Sequence, residues 1–389
     1  MKKVIAILGS TGSIGKNTLD LVKKDNKNFK IHLLSTNTNF KSIFNQAKKF
    51  KVKNIIIHNS EVFRKKKDFF KKNKINIFEN ISEYIKNNKK INLDYVMVAI
   101  TGLAGLAPTI QIINRTKKIA IANKEAIICG WNLISNQLKK HNVRFVPVDS
   151  EHFSIWSLLD KNIQISKQID KIFITASGGP FYNLPSKKLK NIKPSQATNH
   201  PNWKMGKKIS VDSSTLMNKV FEIIEAKNIF DISYNKIKIL IHPKSYLHAL
   251  IKFNNGISKL LIHDTSMKIP IFNTLYDLEK SFKVNEINLN KLNDLNLSYV
   301  DKNKFPVINI LNYLPNKISL FETVIVSAND ELVNLYLKNK IKYTDISRIL
   351  IKTLKNHEFR KYKLIKPKNI NQIEKLNNYV RLKIKSLSV

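Results

Sequence analysis

The sequence contains very little cysteine: Cys129 is the single one in 389 residues. One cysteine excludes an internal disulfide and any metal site built from several thiolates. Because proteins in a reducing compartment need no disulfides, this composition is typical of a cytoplasmic protein.

Long hydrophobic runs are also missing. No apolar stretch approaches the ~18–20 residues that span a membrane, so we expect no membrane partner. The start, MKKVIAILGS, carries two lysines, but its apolar run is shorter than the ~7–15 residues of a secretory signal and leads into glycines. We therefore expect a cytoplasmic location.

Acidic residues are scarce: 28 Asp and Glu stand against 68 Lys and Arg, a formal net charge of +40. A basic nucleic-acid-binding protein is therefore the non-enzyme alternative. The lysines, however, are spread over the whole chain and do not alternate with aromatic residues in a repeated module. We expect no specific nucleic-acid partner, and a field that attracts small phosphorylated ligands.

Short apolar runs alternate with polar, helix-like stretches through about residue 148. Strands separated by helices indicate βαβ units and a parallel sheet. The predicted strands are VIAIL, IHLLS, NIIIH, INIF, DYVMVAI, KIAIAN and VRFVPV.

The pattern then changes to a mixture of strands, near KIFITA, IKILIHP and GISKLLIHD, with a loop at about 194–206, and it is helical past about residue 303. The predicted fold class is α/β, with a Rossmann-like parallel sheet first, a central α+β domain carrying most of the polar motifs, and a helical bundle last. The predicted boundaries are 1–150, 151–276, a linker at 277–302, and 303–389.

A glycine-rich turn follows the first strand, with Gly9, Gly12 and Gly15 in VIAILGSTGSIGKNTLDLV. Glycine lets the backbone approach a pyrophosphate, which then sits at the start of the following helix. A structural strand–helix turn is the alternative, but a strand before the turn and a βαβ series after it favour a dinucleotide.

The second strand and its turn, IHLLSTNTNF, lack the acidic residue that usually binds the ribose of NAD. A carboxylate would repel the 2′-phosphate of NADP, so its absence favours NADPH. We include Asn37 and Asn39 of this turn among the cofactor-binding candidates.

Two acids, Asp149 and Glu151, flank Ser150 where a strand ends in VPVDSEHFSIW. Asp or Ser here could simply cap the next helix, with acids in its first turn. Alternatively, two carboxylates at the carboxyl end of a parallel strand, with a third acid, suit Mg²⁺ or Mn²⁺.

A third acid is available in VDSSTLMNKVFEIIEA. A helix from about Ser214 would align Ser214, Asn218 and Glu222, with Lys219 three residues before Glu222. Serine hydroxyls, an amide and an ammonium at a helix start suit a phosphate group. An ordinary amphipathic helix with a surface Lys–Glu pair is the alternative.

Two loops contain further candidates. In ASGGPF, Ser177 precedes two glycines that would let the backbone approach an anion. In ATNHPNWKMG, His200, Trp203 and Met205 lie in a loop, where exposed apolar side chains are costly unless they cover something. We expect a lid over the substrate, or else a loop pinned to the core by its tryptophan.

Together these motifs resemble the 1-deoxy-D-xylulose 5-phosphate reductoisomerase family. The similar stretches are GSTGSIG, GLAGLAPT, IANKEAI, PVDSEHFSIW, TASGGPF, the run from ATNHPNWKMG to FEIIEA, and IHPKSYLHALI. The resemblance implies an NADPH-binding domain, a central catalytic domain and a C-terminal helical bundle, assembled as a homodimer.

The resemblance also implies roles for individual residues. The metal ligands would be Asp149, Glu151 and Glu222, and the catalytic residues Glu151, Lys124 and Lys219. The substrate contacts would be Lys124, Ser150, Ser177, His200, Ser213, Asn218 and Lys219. We add Glu151, Trp203 and Glu222 as further substrate-binding candidates. The cofactor contacts would be Thr11, Gly12, Ser13, Ile14, Asn123, Glu125 and Gly206. Asn37 and Asn39 are our own additions to this set, since their turn lacks the basic pattern of the family.

The implied reaction converts 1-deoxy-D-xylulose 5-phosphate to 2-C-methyl-D-erythritol 4-phosphate, by a metal-assisted rearrangement and hydride transfer from NADPH. The chain departs from the family pattern at Lys244, where a glutamine is usual, and in SAND of the helical tail. The alternative enzyme is an NADP-dependent semialdehyde dehydrogenase. It needs a nucleophilic cysteine, and Cys129 in AIICGW resembles a packing residue.

Overall fold

The structure is a computed structural model that describes residues 2–159, 165–203 and 205–387. The chain forms two compact units. Unit 1 comprises Met1–Ala126, Leu133–Asp149 and Met267–Lys283, and unit 2 comprises Ile127–Asn132, Ser150–Ser266 and Val284–Val389.

The described residues form twelve strands. They are β1 Lys3–Leu8, β2 Phe29–Thr36, β3 Asn54–Ile57, β4 Asn76–Phe78, β5 Tyr95–Val98, β6 Lys118–Ile121, β7 Arg144–Pro147, β8 Ile169–Ala176, β9 Ile237–Ile241, β10 Leu247–Phe253, β11 Ser258–Ile262 and β12 Ser298–Tyr299.

Helices connect these strands and make up most of the last eighty residues or so. The α-helices are α1 Ser13–Lys24, α2 Phe40–Phe50, α3 Ser60–Lys72, α4 Ile81–Asn87, α5 Leu106–Ile112, α6 Lys124–Lys140, α7 Ser150–Leu158, α8 Ile165–Gln168, α9 Pro194–Ala197, α10 Lys207–Thr215, α11 Met217–Phe230, α12 Lys268–Tyr276, α13 Leu289–Asn293, α14 Phe321–Leu337, α15 Tyr343–Lys355, α16 His357–Arg360 and α17 Ile370–Ser386. Short 3₁₀ helices lie at Leu103–Gly105, Ile113–Arg115, Ser186–Asn191, Tyr234–Lys236, Pro306–Tyr313 and Lys361–Leu364.

Unit 1 contains a seven-stranded parallel sheet in the order β4-β3-β2-β1-β5-β6-β7. All seven strands predicted from the sequence are present, and the α/β class is confirmed. The strand order reverses at β1, because the chain first adds strands on one side of it and then on the other. Ligands of such sheets bind beyond the carboxyl ends of the strands at this point.

The strands of unit 1 are short and almost wholly apolar because helices cover the sheet. Every residue of β3, β5 and β6 is buried, as expected for parallel strands covered on both faces. The core includes Ile5 and Ile7 of β1, and it continues into α12 through Ile271 and Leu275. Helix α12 thus belongs to the packing of unit 1, although it comes late in the chain.

Unit 2 contains a five-stranded sheet in the order β11-β10-β8-β9-β12. Strands β8 and β9 are parallel and the other pairs are antiparallel. Strand β10 was not predicted from the sequence, although it lies inside the sheet between β8 and β11. Its sequence, LHALIKF, directly follows a short turn and offers no break that separates it from the preceding motif.

The helix predicted from about Ser214 is wrong at its start. Helix α10 ends at Thr215, and α11 begins at Met217. Between them Leu216 has a φ of +63°, a left-handed conformation that a leucine adopts only at a cost. Ser214 therefore lies in a different helix from Asn218 and Glu222.

The segment predicted as a linker contains the end of unit 1, helix α13 and strand β12, which pairs with β9. Past it, α14, α15 and α17 pack together and form the helical region expected from the sequence. The division of residues 151–389 into a catalytic domain, a linker and a separate helical domain stays a prediction. Among the described helices, none has the length and apolar character to cross a membrane.

Candidate active site

Two carboxylates, one buried and one largely buried, converge on one lysine in unit 2. Lys219 of α11 contacts Glu151 of α7, and its Nζ lies 2.5 Å from Oε2 of Glu222. The side chains of Glu151 and Glu222 are 12% and 1% exposed. Burying two carboxylates is unfavourable unless positive charge compensates them, and the ammonium of Lys219 supplies it.

Helical spacing explains the α11 part of this cluster. Asn218 and Lys219 lie four and three residues before Glu222, so all three side chains share one side of the helix. Asn218 donates from Nδ2 to Oε1 of Glu222. Burial alone would lower the pKa of Lys219, but the carboxylates of Glu151 and Glu222 outweigh it and raise that pKa above its ordinary value.

The α7 part of the cluster begins with Ser150. Its hydroxyl donates to Oε2 of Glu151 at 2.5 Å. In unit 1, the Nζ of Lys124 lies 3.2 Å from Oδ2 of Asp149, just past the end of β7. The chain itself places Asp149 two residues before Glu151. Within unit 2, the carboxylate oxygens of Glu151 and Glu222 are the kind of donor that a hard divalent cation prefers.

A second buried pair, not predicted from the sequence, lies on the same two helices. The Nδ1 of His152 is 3.7 Å from a carboxylate oxygen of Glu225, and both side chains are almost wholly buried. The ring of His152 also contacts the backbone carbonyl of Glu222 through Nε2, at 2.8 Å. Glu225 lies three residues after Glu222, and this spacing was the signal available in the sequence.

His200 binds Ser177 in a defined protonation state. Its Nδ1 accepts hydrogen bonds from the backbone N–H groups of Asn202 and Trp203, at 3.1 and 3.0 Å. The proton of the neutral ring is therefore on Nε2, which donates to Oγ of Ser177 at 3.2 Å. Burial, and then the positive charge of Lys219, lower the pKa of His200 to about 4.

The turn after β8 packs closely against the end of α10. Gly178 and Gly179 have φ values of +83° and +69°, which favour glycine. A Cβ at Gly179 would lie 2.9 Å from the carbonyl oxygen of Ser213. Ser213 and Asn218 are half-buried, whereas most of their neighbours in the sequence are buried. This cluster of Ser177, His200, Ser213, Asn218 and Lys219 supplies donors that suit a phosphate.

The predicted lid segment contacts the β10 side of the sheet in unit 2. Trp203 packs edge-on against His248, with ring centroids 6.2 Å apart. Asn202 donates to the carbonyl oxygen of Pro243 at 2.7 Å. Gly206 is exposed and caps α10 with its backbone.

The glycine turn of unit 1 has the geometry that a dinucleotide site needs. A Cβ at Gly15 would lie 2.5 Å from the carbonyl oxygen of Gly9, and one at Gly9 would lie 2.5 Å from that of Ala99. Gly12 is the N-cap of α1, and no side chain among the described residues caps that helix. Its first N–H groups, at Ser13 and Ile14, suit an anion.

The other cofactor candidates lie around this turn. Thr11 hydrogen-bonds Thr36 at 2.8 Å, Asn37 is exposed, and the side-chain oxygen of Asn39 caps α2. Asn123 caps α6 and donates to the carbonyl oxygens of Ile100 and Gly102, so any cofactor contact would use its backbone. Glu125 is buried in the first turn of α6.

Comparisons with known proteins agree with this geometry. Family models match at residues 5–130 (1-deoxy-D-xylulose 5-phosphate reductoisomerase), 145–230 (its C-terminal domain) and 263–383 (DXP reductoisomerase C-terminal domain). The 1-deoxy-D-xylulose 5-phosphate reductoisomerase of Pelagibacter ubique (strain HTCC1062) is 57% identical over 100% of both chains. The chain belongs to the 1-deoxy-D-xylulose 5-phosphate reductoisomerase family.

Solved structures of the family have the same fold. The reductoisomerase from Zymomonas mobilis in complex with NADPH is 28% identical with a TM-score of 0.87, over 100% of this chain and 99% of that chain. A DOX-P reductoisomerase in complex with NADPH, fosmidomycin and magnesium is 29% identical with a TM-score of 0.90, over 99% and 97%. The resemblance inferred from the sequence motifs is thereby confirmed.

Family membership decides between the alternatives left open by the sequence. The nucleic-acid-binding protein and the semialdehyde dehydrogenase are not favoured. Cys129, which the dehydrogenase would need as an exposed nucleophile, is fully buried. The roles of individual residues stay predictions, which the geometry supports to different degrees.

Proposed function

We propose that this chain, as a family member, converts 1-deoxy-D-xylulose 5-phosphate to 2-C-methyl-D-erythritol 4-phosphate, by a metal-assisted rearrangement followed by hydride transfer from NADPH. The observation that carries this proposal is the cluster of Glu151, Lys219 and Glu222. It lies in the same unit as the candidate phosphate-binding residues. These are Ser177, His200, Ser213, Asn218 and Lys219, so Lys219 belongs to both groups. A substrate with an anionic phosphate and a metal-chelating carbonyl needs both kinds of site.

Asp149, Glu151 and Glu222 would hold Mg²⁺, as in the relative whose structure contains magnesium, or Mn²⁺. The support is the donor set: the largely buried Glu151 and the buried Glu222 already contact a cationic group, and Asp149 is linked to Glu151 through one residue. Such a metal supplies Lewis-acid polarisation of a carbonyl. Lys219 offsets negative charge at the same carboxylates.

Proton transfer is assigned to Glu151 and Ser150. The hydroxyl of Ser150 already donates to Glu151, at 2.5 Å, so a substrate hydroxyl placed beside Ser150 could pass a proton to this carboxylate. Lys124, which lies 3.2 Å from Asp149, would offset negative charge on the substrate.

The substrate phosphate would bind the Ser177–His200 side of the cluster. Ser177 Oγ accepts from Nε2 of His200 and from the backbone N–H of Gly179, at 3.2 and 3.1 Å. Its own hydroxyl proton can then be donated to a phosphate oxygen. Ser213, Asn218 and Lys219 supply the remaining donors, and Trp203 would shield the site from water.

NADPH would bind the glycine turn of unit 1, as the NADPH complexes of two relatives suggest by analogy. The contacts would be made by Thr11, Gly12, Ser13, Ile14, Asn37, Asn39, Asn123, Glu125 and Gly206. The support is the uncapped start of α1 and the close approach of Gly9 and Gly15.

The active form would be a homodimer in the cytoplasm. The family resemblance supports the dimer, and the single cysteine supports the reducing compartment. Light scattering of the purified protein should give twice the chain mass of 44.9 kDa, and a mass of one chain would contradict the dimer.

A coupled assay tests the reaction directly. NADPH oxidation, followed by absorbance, should require both 1-deoxy-D-xylulose 5-phosphate and Mg²⁺ or Mn²⁺, and chelation should stop it. Absence of oxidation by folded protein with all components present would refute the proposed function.

Glu222→Gln tests the metal site through Mn²⁺ affinity, which can be measured without turnover. The substitution removes one buried charge but keeps the shape, so Mn²⁺ affinity in the absence of substrate should fall at least about tenfold, the loss that removal of even an outer partner of a metal ligand causes. Turnover should fall with it, while NADPH affinity stays within about twofold. Isothermal titration with Mn²⁺ and fluorescence titration with NADPH measure these effects.

Glu225→Gln is the matched control, because it makes the same change to a buried carboxylate on the same helix. It should leave Mn²⁺ affinity nearly unchanged. If Glu225→Gln weakens Mn²⁺ binding and Glu222→Gln does not, the ligand set assigned here is wrong.

A further inference from the structure

Ser213 is flanked by two buried residues that are held by the C-terminal helices. Asn329 of α14 donates from Nδ2 to Oδ1 of Asp212 at 2.8 Å. Tyr343, the first residue of α15, donates from its hydroxyl to the backbone carbonyl of Ser214 at 2.7 Å. We name Asn329 and Tyr343 the C-terminal clamp.

Both hydrogen bonds of the C-terminal clamp are buried. Asn329 and Ser214 are 0% exposed, and Asp212 is 1% exposed. Lys208 fixes the other oxygen of the Asp212 carboxylate, at 2.9 Å. Because water does not compete at such sites, a broken bond leaves a polar group unpaired, and the local backbone is strongly held in place.

Tyr343 also contacts the segment that follows Ser177, the second candidate for phosphate binding. Its ring packs edge-on against Phe181, with centroids 5.4 Å apart. Phe181 lies shortly after Ser177 and the two positive-φ glycines in the sequence, separated from Gly179 by Pro180 alone. One side chain thus contacts the segments of both Ser177 and Ser213.

The end of α10 needs such outside support. The helix stops at Thr215, and the left-handed Leu216 redirects the chain into α11. Ser213 therefore lies in a last helical turn, where carbonyl groups lack the partners that a continuing helix would give. The hydroxyl of Tyr343 satisfies one of these carbonyls, that of Ser214.

We propose that Asn329 and Tyr343 are positioning residues, which fix the hydroxyl of Ser213 where the substrate phosphate binds. This inference rests on the proposed function, and in particular on Ser213 as a phosphate contact. The C-terminal clamp acts through Ser213 and not by touching the substrate. If the hydroxyl of Ser213 is displaced, the affinity of the protein for the substrate phosphate falls even when the fold is intact.

Tyr343→Phe is the first test, because it removes the hydroxyl and keeps the ring on Phe181. The KM for 1-deoxy-D-xylulose 5-phosphate should rise about threefold to tenfold, the effect of losing one buried hydrogen bond. The KM for NADPH and kcat should stay within about twofold. Tyr336→Phe is the matched control: it also removes a buried hydroxyl bound to a backbone carbonyl, that of Ile192, and should leave this KM unchanged.

The second test compares the Ser213→Ala variant with the double variant that also carries Tyr343→Phe. If Tyr343 acts through Ser213, adding Tyr343→Phe to Ser213→Ala should raise the KM no further than about twofold. Independent, multiplicative effects of the two substitutions would overturn the inference, and so would an unchanged KM in Tyr343→Phe alone. Asn329→Ala should behave like Tyr343→Phe, which provides a second variant if one of them fails to fold.

Calorimetric binding of inorganic phosphate separates this inference from the proposed function. If the wild type binds phosphate and Tyr343→Phe weakens that binding about threefold to tenfold, the role of the C-terminal clamp is supported even if the wild type shows no turnover. If phosphate affinity is the same in both proteins, the inference fails, whatever the reaction.

Discussion

His200 shows how one residue can be fixed in a single protonation state by its surroundings. Two backbone N–H groups occupy its Nδ1, and the ammonium of Lys219 lies in the same cluster. In a charged imidazolium Nδ1 would carry a proton, and this N–H group would face two backbone N–H groups, which are also donors. The neutral ring is therefore stabilised by hydrogen bonding as well as by burial.

We predict that His200 stays neutral from pH 8 down to about pH 5.5, since its pKa is lowered to about 4. In ¹³C- or ¹⁵N-labelled histidine NMR spectra, its resonances should not titrate in this range and should report a proton on Nε2. Comparison with His200→Gln assigns the signal. A midpoint near the ordinary value of about 6.5 would contradict this account.

The same lowered pKa has a consequence for stability. Between about pH 6.5 and 4 the unfolded chain binds a proton that the folded protein does not, so the contribution of His200 is present above this window and is lost as the pH falls through it. The free energy of unfolding should therefore fall more steeply with acidification in the wild type than in His200→Gln. Equal slopes would indicate an ordinary pKa.

At the scale of elements, the site depends on how the turn after β8 meets the end of α10. Two successive positive-φ glycines bring the turn so close that a Cβ at Gly179 would contact the backbone of Ser213 and Ser214 at 2.9 Å. Neither backbone segment can give way without moving a phosphate-type donor. The glycine is required here by space as well as by its backbone conformation.

We predict that Gly179→Ala raises the KM for the phosphorylated substrate about tenfold, because overpacking at this contact separates the turn from α10. Steady-state kinetics with varied substrate measure it, and the KM for NADPH should not change. Gly256→Ala is the matched control, since Gly256 also has a positive φ, +87°, but a Cβ there meets nothing within 4 Å.

Gly256→Ala should lower the free energy of unfolding by about 1 kcal/mol through its backbone conformation and leave the KM unchanged. If both alanine variants change the KM equally, backbone strain rather than contact with α10 is responsible, and this account of the turn is wrong.

The net charge of +40 is a property of the whole molecule. Many lysines lie on exposed helix faces, and the 28 Asp and Glu residues are too few to neutralise 68 Lys and Arg. Charges spread in this way create a positive field around the protein rather than one binding surface. An anionic substrate is drawn into such a field, and salt screens it.

We predict that kcat/KM for the phosphorylated substrate falls about fivefold between about 50 and 300 mM KCl, with kcat constant at saturating metal. Initial rates at low substrate concentration measure this effect. Binding to mixed-sequence duplex DNA should be weak, without sequence preference, and lost over the same range. A kcat/KM that is independent of salt would show that the charge has no part in substrate capture.

Much of the fold could be predicted from the sequence where the signal is local. The seven strands of unit 1 are apolar runs separated by polar helices, and they form because each run has the length and composition of a buried strand. Strand β10 and the break at Leu216 could not be predicted in this way. The position of β10 depends on pairing with β8 and β11, and Leu216 is held in a disfavoured conformation by burial around it.

For the site, the residue types and their local spacing could be read from the sequence: the glycine turn, two acids around Ser150, and Asn218, Lys219 and Glu222 on one helix side. These follow from chain geometry over a few residues. Which of these groups contact one another depends on the packing of distant elements. Lys219 contacts Glu151 across 68 residues of chain, and Tyr343 contacts Ser214 across 129. Such contacts are not encoded in any local pattern, because they exist only once distant elements pack together and exclude water between them.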